Sequence, residues 1–272
     1  MLELPEVITM SKQLNAEVTG KKIDRVLPPS KPHKFCWYNG DPAEYNTLMA
    51  GQTITAAEGF GIYVELCFAA GGRLCINDGV NVRLIEADEL PKNYQLAVCF
   101  TDGTALAFTV AMYGGIILHG SDYDDKYYIK SREYVSPFSE GFEEHYRRIL
   151  SESKKTLSAK AFLATEQRFP GIGNGVSQDI LFAAGIHPKR KVSAFDEEES
   201  ATLLESIRSV LAEMTEKGGR DTERDLFGAQ GGYITKMSKN SLASGCPRCM
   251  GPITKEAYLG GSVYYCPNCQ KL

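Results

Sequence analysis

What this sequence lacks narrows its class before any motif is read. No apolar run approaches the roughly 18 residues of a membrane span; the longest are short stretches such as Ala105 to Met112. The N-terminus carries Glu3 and Glu6 and no basic-then-apolar stretch, so it does not resemble a secretory signal, and the cytoplasm is the expected compartment. Internal repeats and low-complexity tracts are absent, which excludes collagen-like, coiled-coil and disordered classes. Positive charge is not in surplus either. A formal net charge of -4 argues against coating nucleic acid by bulk electrostatics.

What is present is an ordinary globular composition, 43% hydrophobic and 24% charged, with a mean hydropathy of -0.23. A length of 272 residues exceeds the roughly 100 to 200 of one domain, so more than one domain is the default. Charge is uneven along the chain. From Lys217 to Leu272 eight Lys or Arg face four acids, making that segment +4 and the remainder -8. On charge alone a solvated face is the favoured reading, and a polyanion-binding tail is the alternative.

The eight cysteines fall into two sets. Cys36, Cys67, Cys75 and Cys99 are scattered among apolar residues and read as buried reduced thiols. Cys246, Cys249, Cys266 and Cys269 form two Cys-x-x-Cys pairs separated by a sixteen-residue excursion, Met250 to Tyr265. Each pair lets two thiolates converge on one cation, so the four predict a closed tetrahedral zinc ribbon with one structural Zn2+. A pair of disulfides is the alternative, disfavoured in a reducing cytoplasm. Gly251-Pro252, Gly260-Gly261 and the run Val263 to Tyr265 predict a hairpin inside the excursion.

Along the body, residues 1 to about 18 carry helical apolar spacing behind Pro5. From residue 20 to about 132 the runs 61–68, 73–77, 95–101 and 104–112 read as strands, with Asp102-Gly103 as a hairpin turn. Beyond Pro137 the stretches 142–150, 159–168, 176–184 and 196–217 read as helices. These periods predict an α+β multidomain chain: an N-terminal β-sandwich with a leading helix over 1–133, a helical domain over 134–235 and a four-cysteine finger over 236–272. The junction Arg168 to Gly175 breaks one helix and starts another. Gly171 and Gly173 allow close backbone approach, Asn174 is a candidate cap, and the freed N–H groups would suit a phosphate. Such a loop more often only connects helices.

Three features in one order carry a resemblance: Glu3-Leu-Pro-Glu-Val7, then Pro170-Gly-Ile-Gly-Asn174 running into Ile180 to Pro188, then the ribbon ending Cys-Gln-Lys. Together they resemble the formamidopyrimidine-DNA glycosylase and endonuclease VIII family over the whole chain, which implies a helix-two-turns-helix module between the sandwich and the finger. Members flip a damaged nucleotide out of duplex DNA, excise the base and nick the abasic strand. The resemblance implies damaged or abasic double-stranded DNA as partner, base excision repair as process, a monomer and no membrane. It places Glu3 beside the reacting sugar as acid and base, Glu6 at a second acidic position, Asn174 and Lys160 on backbone phosphates, and Gly173 in the phosphate loop.

Departures from the family pattern are as specific. The usual nucleophile is the amine of a proline at position two, and here that position is Leu2, too bulky for ordinary removal of Met1. The Met1 amine would lie one residue, at most about 3.3 to 3.6 Å of chain, beyond the expected site. Phe60 or Gly61 stands for a lysine, Gly261 for the finger arginine, and Val80 or Gly79 for an intercalating methionine. Ala111-Met112-Tyr113-Gly114 replaces an arginine and a phenylalanine, leaving Tyr113 as a wedge. Three readings follow: a glycosylase and abasic-site lyase using the Met1 or Leu2 amine with Glu3, a catalytically silenced DNA-damage binder, and a zinc-ribbon protein without a DNA role.

Overall fold

A computed structural model describes residues 1–272. Helix α1 (Leu4–Val18) starts behind Glu3, whose backbone N–H donates to Glu6 Oε2 at 3.3 Å. Its buried residues Leu4, Val7, Met10, Leu14 and Val18 recur at helical spacing. The strands follow: β1 (Ile23–Leu27), β2 (Cys36–Trp37), then a short helix α2 (Tyr45–Met49), β3 (Ile54–Phe60), β4 (Tyr63–Phe68), β5 (Arg73–Asn77), β6 (Val80–Glu86), β7 (Leu96–Phe100), β8 (Thr104–Val110) and β9 (Gly114–His119).

They form two sheets ordered β1-β7-β8-β6 and β2-β9-β5-β4-β3. Val7, Leu14, Leu66, Ile76, Val98 and Phe108 are among the residues of the sandwich core, where α1 joins the sheet residues. The expected turn at Asp102-Gly103 closes β7 onto β8, with Asp102 accepting from the Thr104 N–H. Strands β1, β2, β3, β6 and β9 were not legible in the sequence. For most of them the partner is distant in the chain, as with Val80 opposite Val110, and sheet pairing rather than local pattern defines them; β3 differs, pairing with the next strand so that Phe60 faces Tyr63.

Helices α3 (Lys126–Arg132), α4 (Phe142–Glu152), α5 (Ala159–Ala164), α6 (Asn174–Ala184) and α7 (Glu197–Glu216) follow. A second core joins Phe142, Tyr146, Phe162, Phe169, Ile180 and Leu211, and Leu4 of α1 packs into it. The helix expected over 159–168 ends at Ala164, because Glu166 and Gln167 adopt φ of 58° and 46°. Arg168 folds back there and donates to the Thr165 carbonyl and to the Ala161 carbonyl, which also accepts the Thr165 N–H that closes the helix. The last elements, β10 (Thr254–Tyr258) and β11 (Gly261–Tyr265), pair as the expected hairpin. Phe182 of α6, Ile253 and Tyr264 bury its inner face. No helix is long and apolar enough to cross a membrane.

Candidate functional site

The first four residues stitch the two halves together. The Leu2 N–H donates to the Asp78 carbonyl (2.7 Å) and the Leu4 N–H to the Gly171 carbonyl (2.9 Å). Leu2 enters the sandwich core and Leu4 the helical core. Met1 is thereby left in the cleft between them, and its ammonium lies 2.5 Å from Glu223 Oε2.

Glu3 is buried, and its two oxygens accept from the Gly175 N–H (2.8 Å) and the Val176 N–H (2.7 Å) at the start of α6. A carboxylate there is favoured by the helix dipole and the open N–H groups. Arg220, 3% exposed, lies 3.5 Å from Glu3 and donates from Nε (3.0 Å) and Nη2 (2.8 Å) to Glu6. Burial works against the Arg220 charge, but the carboxylates of Glu3, Glu6 and Glu223 more than offset it and hold the guanidinium protonated. The glycines of the junction exist for this approach. A Cβ on Gly175 would fall 1.5 Å from Arg220 Nη1, and one on Gly173 would fall 2.7 Å from Glu3 Oε1. The expected outward-facing N–H groups of this loop are corrected here: Glu3 occupies those of Gly175 and Val176, and Gly173 rather than Asn174 is the cap residue.

Asn174 instead reaches across to the hairpin. Its Nδ2 donates to the Ser262 carbonyl (3.2 Å), while its Oδ1 is buried without a partner. Lys160 is 3% exposed and donates to the Tyr258 carbonyl (2.6 Å) in the same hairpin. Burial pulls its ammonium below the usual lysine value. Met1, Glu3, Met112, Asn174, Glu223 and Ser262 line one cleft of about 300 Å³. Tyr113, half-buried on the β8–β9 turn next to Met112, does not line this cleft but a second pocket with Asn77, Asp78 and Tyr127; burial, then the carboxylates of Asp78 and Glu3, push its hydroxyl up.

In the finger, Cys246 and Cys269 Sγ lie 3.8 Å apart, and Cys249 and Cys266 Sγ 3.5 Å. All four sulfurs fall within 4.8 Å of one another. A tetrahedron with zinc–sulfur bonds of about 2.3 Å has edges of roughly 3.8 Å, so the donor set fits that metal. The Gly251 N–H, then the neighbouring thiols, bring the Cys249 thiol down to about 7.

Residues 1–111 match the family model described as the formamidopyrimidine-DNA glycosylase N-terminal domain, and residues 135–225 match that described as the formamidopyrimidine-DNA glycosylase H2TH domain. The formamidopyrimidine-DNA glycosylase of Exiguobacterium sp. is 30% identical over 282 aligned residues, spanning all of both chains. The chain belongs to the formamidopyrimidine-DNA glycosylase family. A second relative, from Geotalea uraniireducens, is 27% identical over 99% of this chain and its own full length. Among solved structures, Lactococcus lactis Fpg in complex with DNA containing an abasic site superposes with a TM-score of 0.84 at 22% identity, over 99% of this chain and all of that one. MutM (Fpg) from Thermus thermophilus gives 0.80 at 24% identity, over 98% of each. These two show the same fold.

Against that family pattern, the fold brings Met1, Glu3 and Asn174 to one cleft and holds Leu2, Glu6 and Lys160 in packed positions. Gly61 has a physical reason. Its φ is +55°, and a Cβ there would lie 2.8 Å from Ser131 Cβ and 3.0 Å from Pro170 Cβ, so no lysine side chain fits. Phe60 is buried and stacks on Tyr63. A Cβ on Gly261 would lie 3.4 Å from Asn174 Oδ1, an ordinary contact, so a side chain at this position would lie against the Asn174 amide. Sequence reasoning missed Arg220 and Glu223. They belong to no motif, and only the density of charge from 220 to 225 marked them.

Proposed function

We propose that this protein binds damaged or abasic duplex DNA across the cleft between its halves and acts there in base excision repair as a glycosylase and abasic-site lyase. The observation that carries the reading is the position of the Met1 amine, in one cleft with Glu3 and Asn174. The relatives' names as formamidopyrimidine-DNA glycosylases and the Lactococcus lactis complex with abasic DNA support the substrate class.

In this reading the Met1 ammonium gives a proton to Glu223, and the neutral amine attacks C1′ of the ring-opened abasic sugar. The carbinolamine hydroxyl takes a proton from Glu223 and leaves as water, forming an iminium. Loss of a C2′ proton then expels the 3′ phosphate and breaks the strand. Base excision begins earlier, with Glu3 steering a proton to the sugar ring oxygen. For that step Glu3 must exchange a donor, since both of its oxygens accept hydrogen bonds here. The four cysteines would hold one zinc, which supplies fold to the hairpin and no step of the reaction.

A second reading, a damage binder without efficient excision, is favoured by Gly61 and Gly261, which leave two cation positions of the family empty. Each lost cation would cost about a hundred to a thousandfold in rate if it behaves like a lost oxyanion donor. Borohydride reduction on abasic duplex, followed by peptide mapping, decides between them. We expect a slow adduct on the Met1 amine, and Glu3→Gln should cut strand cleavage sharply while leaving duplex affinity nearly unchanged. Tight binding with no adduct at any pH would establish the binder, and absence of duplex binding would defeat both.

A further inference from the structure

The segment from Val26 to Gly40 contains Lys31, His33 and Lys34 and no acidic residue, and it carries aromatic residues that the fold does not cover. Phe35 is 48% and Trp37 52% exposed, while Cys36 and Tyr38, alternating with them, pack against the sandwich core. The alternation is that of a strand with one face inward. The outward face is therefore aromatic where a solvated edge would ordinarily be polar.

Its position is fixed by pairing. β2 lies at the edge of the five-stranded sheet and runs parallel to β9, with Cys36 opposite Gly114 and Trp37 opposite Gly115. The Gly114 N–H donates to the Phe35 carbonyl at 3.0 Å. This holds the Trp37 ring 6.2 Å from that of Tyr113, beside the turn whose Met112, 63% exposed, lines the cleft with Met1 and Glu3. Lys34 sits over the Phe35 ring at 5.3 Å, and Lys31 is exposed on the same segment. Exposed aromatic faces interleaved with cations, without acids, match the chemistry of a nucleic-acid strand: rings stack on bases and lysines meet phosphates.

We propose that Phe35 and Trp37 form a stacking ledge for a nucleobase displaced from the helix stack in the duplex, with Lys31 and Lys34 against the adjoining phosphates. The inference rests on the reading that damaged DNA occupies the cleft. It adds a contact outside that cleft, made by residues with no place in the proposed chemistry. A second copy of this chain pairing at the β2 edge is the competing occupant, but two like-charged lysine segments would then approach each other.

Trp37 is the only tryptophan in the chain, so its fluorescence reports this ledge alone. The full-length protein is titrated with abasic duplex while a label on the DNA reports binding independently. Trp37 emission should be quenched with the same midpoint as the label signal. Trp37→Ala should weaken binding about tenfold, within the range for one base stacked on an aromatic ring, and leave the salt slope unchanged. Lys31→Ala and Lys34→Ala should each lower that slope by about one. Binding seen by the label with unaltered Trp37 emission and an unchanged affinity for Trp37→Ala would overturn the ledge and leave the cleft reading intact. No label signal would defeat the cleft reading itself. A dimer in sedimentation that Trp37→Ala dissolves would assign the surface to self-association and overturn the proposal.

Discussion

The α-amine of Met1 and the carboxylate of Glu223 meet at 2.5 Å although 222 positions separate them in the chain. Arg220 ties both ends of this pairing: its Nη2 donates to the Met1 carbonyl at 3.2 Å, and Glu223 lies within 4.0 Å of the same guanidinium. The amine is therefore held by a loop of the helical half while Leu2 fixes the next residue in the sandwich. The position of the amine is set by ion pairing with Glu223 rather than by chain length alone.

Removing the Glu223 carboxylate should slow chemistry rather than binding. If it takes the ammonium proton and returns it to the departing hydroxyl, Glu223→Gln should reduce the borohydride trapping rate on abasic duplex by about a hundredfold, the lower end of general acid–base contributions. Glu223→Asp should recover part of the rate, and duplex affinity should stay near that of the parent. Faster trapping by Glu223→Gln would show that the carboxylate restrains the amine instead.

Lys160 tests whether a buried cation acts on DNA directly. Its ammonium is committed to the Tyr258 carbonyl, so its work in this structure is to fasten α5 to the finger hairpin. We expect Lys160→Ala to weaken duplex binding with little change in the dependence on salt. A fall of about one in the salt slope would instead mark a phosphate contact.

The cysteine cluster should bind one zinc per chain by elemental analysis. Cys249→Ser should release it, because three ligands do not close a structural site. The loss should unravel β10 and β11, which Phe182, Ile253 and Tyr264 cover only thinly. Thermal unfolding of the sandwich should persist as a separate transition. Native protein with four readily alkylated thiols and no metal would contradict this.

Glu65 should govern acid stability. Burial by itself would raise its carboxyl, yet hydrogen bonds with His119 (3.2 Å), Tyr128 (2.7 Å) and Arg73 (2.5 Å) hold it at about 2, below the ordinary 4.5. A folded value below the unfolded one means that the stabilisation is complete above 4.5 and is lost as pH falls from there through about 2. Its size is on the order of 3 kcal/mol. Glu65→Gln should lower stability at neutral pH by that order and flatten the decline in acid, as measured by denaturant melts across pH.

Local chemistry was what the sequence determined by itself. The four cysteines, the Asp102-Gly103 turn, the face of α1 and the glycine-rich junction are each set within a few residues, and all recur in the structure close to where the pattern placed them. The membership of the family was legible for the same reason, since Glu3, Asn174 and the cysteine pairs lie in short runs. Tertiary structure alone decided what those runs face. The N–H groups of the junction meet Glu3, Lys160 turns inward to Tyr258, and Gly61 is forced by Pro170 and Ser131 from other elements. Arg220 and Glu223 gain their roles only when chain ends converge. Ion pairs and sheet partners between distant residues follow no spacing rule, because the energy that selects them depends on burial and distance that exist only after folding.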